Sequence, residues 1–204
     1  FHAVLNDGVL QCDPQQLAVS EGVLHRLPSL VQKDDGSDWD IVVEPGMFIE
    51  NVRINPRMAA NGLQYVAPIM AGVTEVEGSF SINLADCRIP LNSPKEGELR
   101  GQLIVHNILL GPGPMIRQFA TMFQFNESIP IAQNSVVDFW MEEERIHHEN
   151  LIFMIDNARV YTSGSVGLDK TLELTAVMPI PDSALPNDPR IQQALRGQTI
   201  TIPI

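Results

Sequence analysis

Cysteine is nearly absent from this chain: Cys12 and Cys87 are the only two among 204 residues. No disulfide framework and no cysteine-based zinc site can be drawn from them. A single bridge between the two and a pair of idle thiols are both compatible with the spacing. Basic residues are also scarce, with 13 Lys and Arg against 25 Asp and Glu, a formal charge of −12. Such a chain repels phosphate backbones and anionic headgroups, so nucleic acid is not an expected partner. No apolar run approaches the roughly 20 residues that a membrane helix needs, and no charged-then-apolar leader is visible. No span is therefore expected within these residues, and no motif implies a cofactor.

What is present is an ordinary globular balance, 44% hydrophobic and 19% charged. A chain of this length should bury roughly 70% of its unfolded surface without a metal or disulfide staple. Residues 1–204 read as a single β-rich domain. The chain starts at Phe1 rather than Met and stops inside the strand-like run Thr199 to Ile204, which reads as part of a longer protein.

Period-two alternation is the dominant pattern. From Glu75 to Leu84 the even positions Val76, Gly78, Phe80, Ile82 and Leu84 are apolar or small, and the odd positions are polar. Such a strand turns one face to a core and one to water. Leu172, Leu174, Ala176, Met178 and Ile180 repeat the device, and Phe1, Ala3 and Leu5 alternate ahead of a turn signal at Asn6-Asp7-Gly8. Further strands are expected at Trp39 to Val43, Phe48 to Ile54, Leu99 to Leu110 and Ser135 to Met141. His147 to Ile155, Val160 to Leu168 and Leu172 to Ile180, joined by short turns, read as an antiparallel meander. Gly164 and Gly167 should loosen the middle strand or seat a bulge there.

Three helices share one start signal, a capping residue followed by proline: Asn55-Pro56 before Arg57 to Met70, Gly113-Pro114 before Met115 to Phe125, and Asp188-Pro189 before Arg190 to Leu195. Pro68 should end or kink the first near Ala67. Met115, Phe119, Met122 and Phe123 give the second an apolar stripe. The expected fold is α+β, mainly β: a large curved antiparallel sheet, β-groove-like, with about three short helices.

Catalytic chemistry is hard to find, and the chain is not expected to be an enzyme. His147-His148-Glu149 is the most ligand-like cluster, yet neighbours on a strand point to opposite faces, so a solvated strand face is expected there rather than a metal site. Glu142-Glu143-Glu144 reads as a charged turn. Gly111 to Pro114 lacks the Lys-Ser or Lys-Thr of a phosphate loop, and Ser163 to Gly167 lacks the first glycine of a nucleophile elbow. No serine, threonine or cysteine has a base partner assignable from sequence. The functional signal left is an apolar sheet face with few helices to cover it. Phe80, Ile82, Leu84, Leu172, Leu174 and Met178 are the candidates to line it, as a groove for lipid chains or as the wall of a closed core.

Several stretches in order resemble one family. They are Val43-Glu44-Pro45-Gly46, Val52 to Pro56, Tyr65 to Pro68, Thr74 to Ser81, Arg88 to Leu91, Gly101 to His106, Gly111 to Pro114, and Gly164 to Leu174. Together they resemble the AsmA-like C-terminal region of large bacterial envelope proteins of the planctomycete type. The resemblance implies a β-groove fold in a periplasmic or envelope protein whose parent is anchored to the inner membrane, with lipid or neighbouring segments of the parent as partners. It brings no catalytic motif. A structural or protein-interaction segment without a small-molecule ligand is the alternative, and a hydrolase the third.

Overall fold

Alternating apolar and polar residues, broken by turns, build strands almost everywhere. The computed structural model describes residues 2–13, 16–114, 116–117, 121, 129–155, 158–180, 190 and 198–203. Strand accounts for 61% and helical turns for 13%, far from the roughly 30–35% helix of an average globular domain. The strands are β1 (His2–Asn6), β2 (Val9–Asp13), β3 (Leu17–Val19), β4 (Gly22–Leu24), β5 (Ser29–Gln32), β6 (Trp39–Val42), β7 (Gly46–Arg53), β8 (Val76–Pro90), β9 (Glu98–Leu110), β10 (Ile129–Ile131), β11 (Ser135–Glu142), β12 (Arg145–Ile155), β13 (Ala158–Gly167), β14 (Leu172–Pro179) and β15 (Thr199–Pro203).

All of them belong to one antiparallel sheet. Its body runs β8–β9, then β10 and β11 end to end between β9 and β12, then β12–β13–β14–β15. On the far side of β8 the sheet divides. Residues 79–84 pair with β7, which leads to β4 and β3. Residues 88–90 pair with β6, which leads to β5, β2 and β1. The meander expected from the sequence is present as β12–β13–β14; its first turn, Asp156-Asn157, lies outside the described residues.

Bulges let one long strand keep its apolar side inward while the sheet bends. On β9 the register shifts beside Ser79 and Phe80, so the inward series passes from Leu110 and Ile108 to Val105, Leu103 and Gly101. On β8 a second shift between Leu84 and Asp86 moves the inward series from Phe80, Ile82 and Leu84 to Cys87 and Ile89. The bulge near Gly164 sits on the partner strand, between His148 and Leu151. Gly164 has φ +148°, and a Cβ there would fall 2.1 Å from the Glu173 carbonyl oxygen, so glycine is required by contact as well as by conformation.

The inward face is covered by the segment after β7. Asn55 caps it, its side-chain oxygen accepting from the Met58 N–H at 3.0 Å with Pro56 in the first turn. Helical turns α1 (Pro56–Met58) and α2 (Gln64–Val66) flank a π-helical turn, Ala59–Leu63, and a 3-10 turn follows at Pro68–Met70. Ala67 leaves the helical region at φ −133°, ψ 81°, as Pro68 demands. The second helix starts where expected, the Arg117 N–H donating to the Gly113 carbonyl at 2.9 Å. Its stripe of Met115, Phe119, Met122 and Phe123, and residues 191–195 of the third helix, lie outside the described residues. Ala59, Leu63, Ala67, Ile69, Met70 and Ile116 are buried in one cluster with Phe80, Leu103, Val105, Phe153 and Met178. No helix among the described residues is long and apolar enough to cross a membrane.

Candidate binding face

The six candidate groove residues all lie on strands β8 and β14, and most of them are sealed. Phe80, Leu84, Leu174 and Met178 are buried in the main core, and Ile82 packs against it, partly buried. Leu172 faces the same side, opposite Val166, but stands at the first residue of β14, past the covering segment, and is 37% exposed. Over these strands the inward face is a packed core closed by the chain itself.

One row across the core shows how it is filled. Leu84, Gly101, Phe139, His148, Gly164 and Leu174 follow one another across β8, β9, β11, β12, β13 and β14. The Phe139 ring and the Leu84 and Leu174 side chains lean into the space left by the two glycines. His148 therefore occupies a core position, 1% exposed, and neither ring nitrogen finds a hydrogen-bond partner among the described residues. Burial, with a smaller contribution from neighbouring His147, holds its pKa down at about 4. The expectation of a solvated face is corrected for this residue. His147 does point outward, stacked on Trp140 with ring centroids 5.3 Å apart. The two histidines cannot share a ligand, and the described residues contain no cluster of three or more metal-ligating groups.

Beyond the core, no helical segment among the described residues packs over the same face. Leu5, Leu10, Leu30, Ile41 and Ile89 are direct cross-strand partners in a single row over β1, β2, β5, β6 and β8. Cys87, two residues before Ile89, pairs with Leu99 on the core side of β9, so this row continues the inward face. None of its five members belongs to the main core cluster. Leu10, Leu30, Ile41 and Ile89 are half-buried, and Leu5 at the edge is 62% exposed. Five strands about 4.8 Å apart make an apolar strip roughly 19 Å long. Sequence reading missed it because the strip is assembled from short strands, each contributing one residue. The bulge after Leu84 also breaks the alternation that would have led to Ile89.

Cys12 and Cys87 form no disulfide. They lie on β2 and β8 with β5 and β6 between them, a separation of about 14 Å by strand spacing, too far for a bridge. Burial raises the Cys87 thiol pKa, favouring the neutral thiol.

A serine–base pair that no local motif announces does exist. Ser81 Oγ and His106 Nε2 are 2.7 Å apart, and the Asn51 N–H donates to the same hydroxyl at 2.9 Å. Ser81 is 2% exposed, and no carboxylate among the described residues bonds His106. The hydroxyl joins two bulges, the one carrying Asn51 on β7 and the one carrying His106 on β9. Attack on a substrate would require an exposed hydroxyl and donors for the developing charge, so the pair is a structural tie. A polar cleft of about 490 Å³ opens beside His25, whose Nε2 lies 2.7 Å from Glu50. Comparison of the chain with family models, curated proteins and solved structures found no match.

Proposed function

We propose that this chain is a non-catalytic envelope module that accepts the acyl chains of lipids on the end of its apolar sheet face beyond the core. The observation that carries the reading is the row Leu5–Leu10–Leu30–Ile41–Ile89, continuous with the core yet outside it. An extended acyl chain laid along such a strip gains about 0.8 kcal/mol for each methylene removed from water. The similarity to AsmA-like regions supports the envelope setting, with a parent protein held at the inner membrane. The sealed core beneath residues 59–70 favours a second reading, a structural or protein-interaction segment in which a neighbouring stretch of the parent covers the strip.

Lipid extraction and mass spectrometry of the purified chain, with uptake of a fluorescent phospholipid from vesicles, separate the two. The wild type is expected to carry lipid. Leu10→Asp and Leu30→Asp are expected to lose it while still melting cooperatively, because a carboxylate on a half-buried strip can reach water. A wild-type protein that neither carries nor takes up lipid overturns the lipid reading and leaves the structural one.

A further inference from the structure

The outer face of the sheet holds a different kind of site. A cleft of about 390 Å³ there is lined by Asn83, Ala85, Arg100, Gln102, Asp138 and Trp140, within the roughly 300–1,000 Å³ range of small-ligand pockets. The register explains the gathering: Asn83, Gln102 and Asp138 are direct cross-strand partners on β8, β9 and β11, and Arg100 pairs with Trp140 in the adjacent row. His147 stacks on the indole at an interplanar angle of 12° from β12. The cleft draws its walls from β8, β9 and β11 and none from β12, so it lies on the side of the indole away from His147. His147 holds one ring face, and the indole lines the cleft on its β9 side together with its cross-strand partner Arg100.

Two of the polar side chains, Asp138 and Gln102, are held in place. Asp138 Oδ1 accepts from Gln102 Nε2 at 2.8 Å, and Oδ2 accepts from Asn150 Nδ2 at 3.3 Å. Arg100 makes no ion pair among the described residues, although acidic residues are in excess in this chain. Planar amide and guanidinium groups beside an aromatic face suit a ring with one apolar C–H face and a rim of hydroxyls that both donate and accept. Phosphate ligands are disfavoured by Asp138 and by the net charge of −12. An added peptide strand is excluded here because β9 and β11 are paired on both sides.

We propose that this cleft binds a neutral pyranose unit of a glycan, with Trp140 stacking on the sugar ring and Gln102, Asn83 and Arg100 bonding its hydroxyls. The site is independent of the apolar strip on the opposite face. The whole chain is to be applied to an array of immobilised neutral glucan, xylan, mannan, galactan and chitin oligosaccharides. Any retained class is then titrated into the Trp39→Phe variant, where Trp140 is the remaining tryptophan. Retention of at least one class is expected, with a change in Trp140 emission and at least a tenfold loss of affinity in Trp140→Ala and in Gln102→Ala. Gln102→Ala is expected to melt within a few degrees of wild type, which keeps the test valid if Trp140→Ala folds poorly. Failure of the wild type to bind any class overturns the proposal, as does binding undiminished by Gln102→Ala.

Discussion

At the scale of single residues, His148 is the one described side chain with two buried polar atoms and no partner among the described residues for either. Its imidazole sits in the core row between Phe139 and Gly164 with no partner among the described residues, so the neutral form is strongly favoured. The folded-state pKa of about 4 lies below the ordinary value of 6.5. As pH falls below 6.5, the unfolded chain takes up a proton that the folded chain refuses until about pH 4. Stability is therefore expected to fall across that window by about 1.4 kcal/mol per pH unit, to roughly 3 kcal/mol in total, and to be insensitive to this group above it. Denaturant unfolding at pH 7.5 and pH 5 measures the effect. Between those two pH values this group accounts for about 2 kcal/mol, and in His148→Leu, which removes both unpaired nitrogens, the acid loss should shrink by about that amount. An equal loss in the variant would mean that carboxylates carry the acid sensitivity.

At the scale of elements, alternation identifies a face, and position along the strand decides burial. Leu172 and Leu174 share the inward side of β14. Leu174 leans over Gly164 in the core, whereas Leu172 stands at the rim. Leu174→Asp is expected to destabilise by more than about 4 kcal/mol, the range of a buried unpaired charge, and Leu172→Asp by about 0.5 kcal/mol or less. Melting temperatures of the two variants provide the comparison; similar losses would place Leu172 under cover. The turns follow a related rule. Asp7-Gly8 carries the standard signal for a two-residue hairpin and forms one. Ser20-Glu21 and Glu143-Glu144 form the same kind of turn with positive φ at both central residues, although neither pair carries that signal. There the pairing of the flanking strands imposes the left-handed backbone that the turn residues would not choose.

At the scale of the whole molecule, burial is greatest in the middle of the sheet and falls off toward its edges, furthest at β1. Strands β8, β9 and β12 carry the core, while every side chain of β1 is exposed and β5 is only half-buried. Few buried contacts mean that little free energy opposes local opening. Native-state hydrogen exchange is therefore expected to be fastest in the paired amides of β1 and β2, and slowest in those of β8 and β9. Lipid bound on the strip from Leu5 to Ile89 should slow the first group selectively. Uniform protection across the sheet would show that the arm and the body open as one unit.

The sequence by itself determined the long strands, the Asp7-Gly8 hairpin, the capped start of the helical segment at Asn55 and its end before Pro68, but not the short strands β2, β3, β4, β5 and β10. Each feature it determined depends on residues within one turn or one strand. It also placed His147 and His148 on opposite faces, because a period of two needs no tertiary information. Only the tertiary structure decided that Phe80, Leu84, Leu174 and Met178 are sealed, and that Cys12 and Cys87 stand too far apart to bridge. Ser81 with His106, the strip from Leu5 to Ile89 and the cleft at Trp140 likewise appeared only there. Those features are made by register between strands far apart in the chain, and each bulge resets that register by one residue. A one-residue shift exchanges the two faces of a strand, so alternation read along one segment cannot be carried across a bulge to the next.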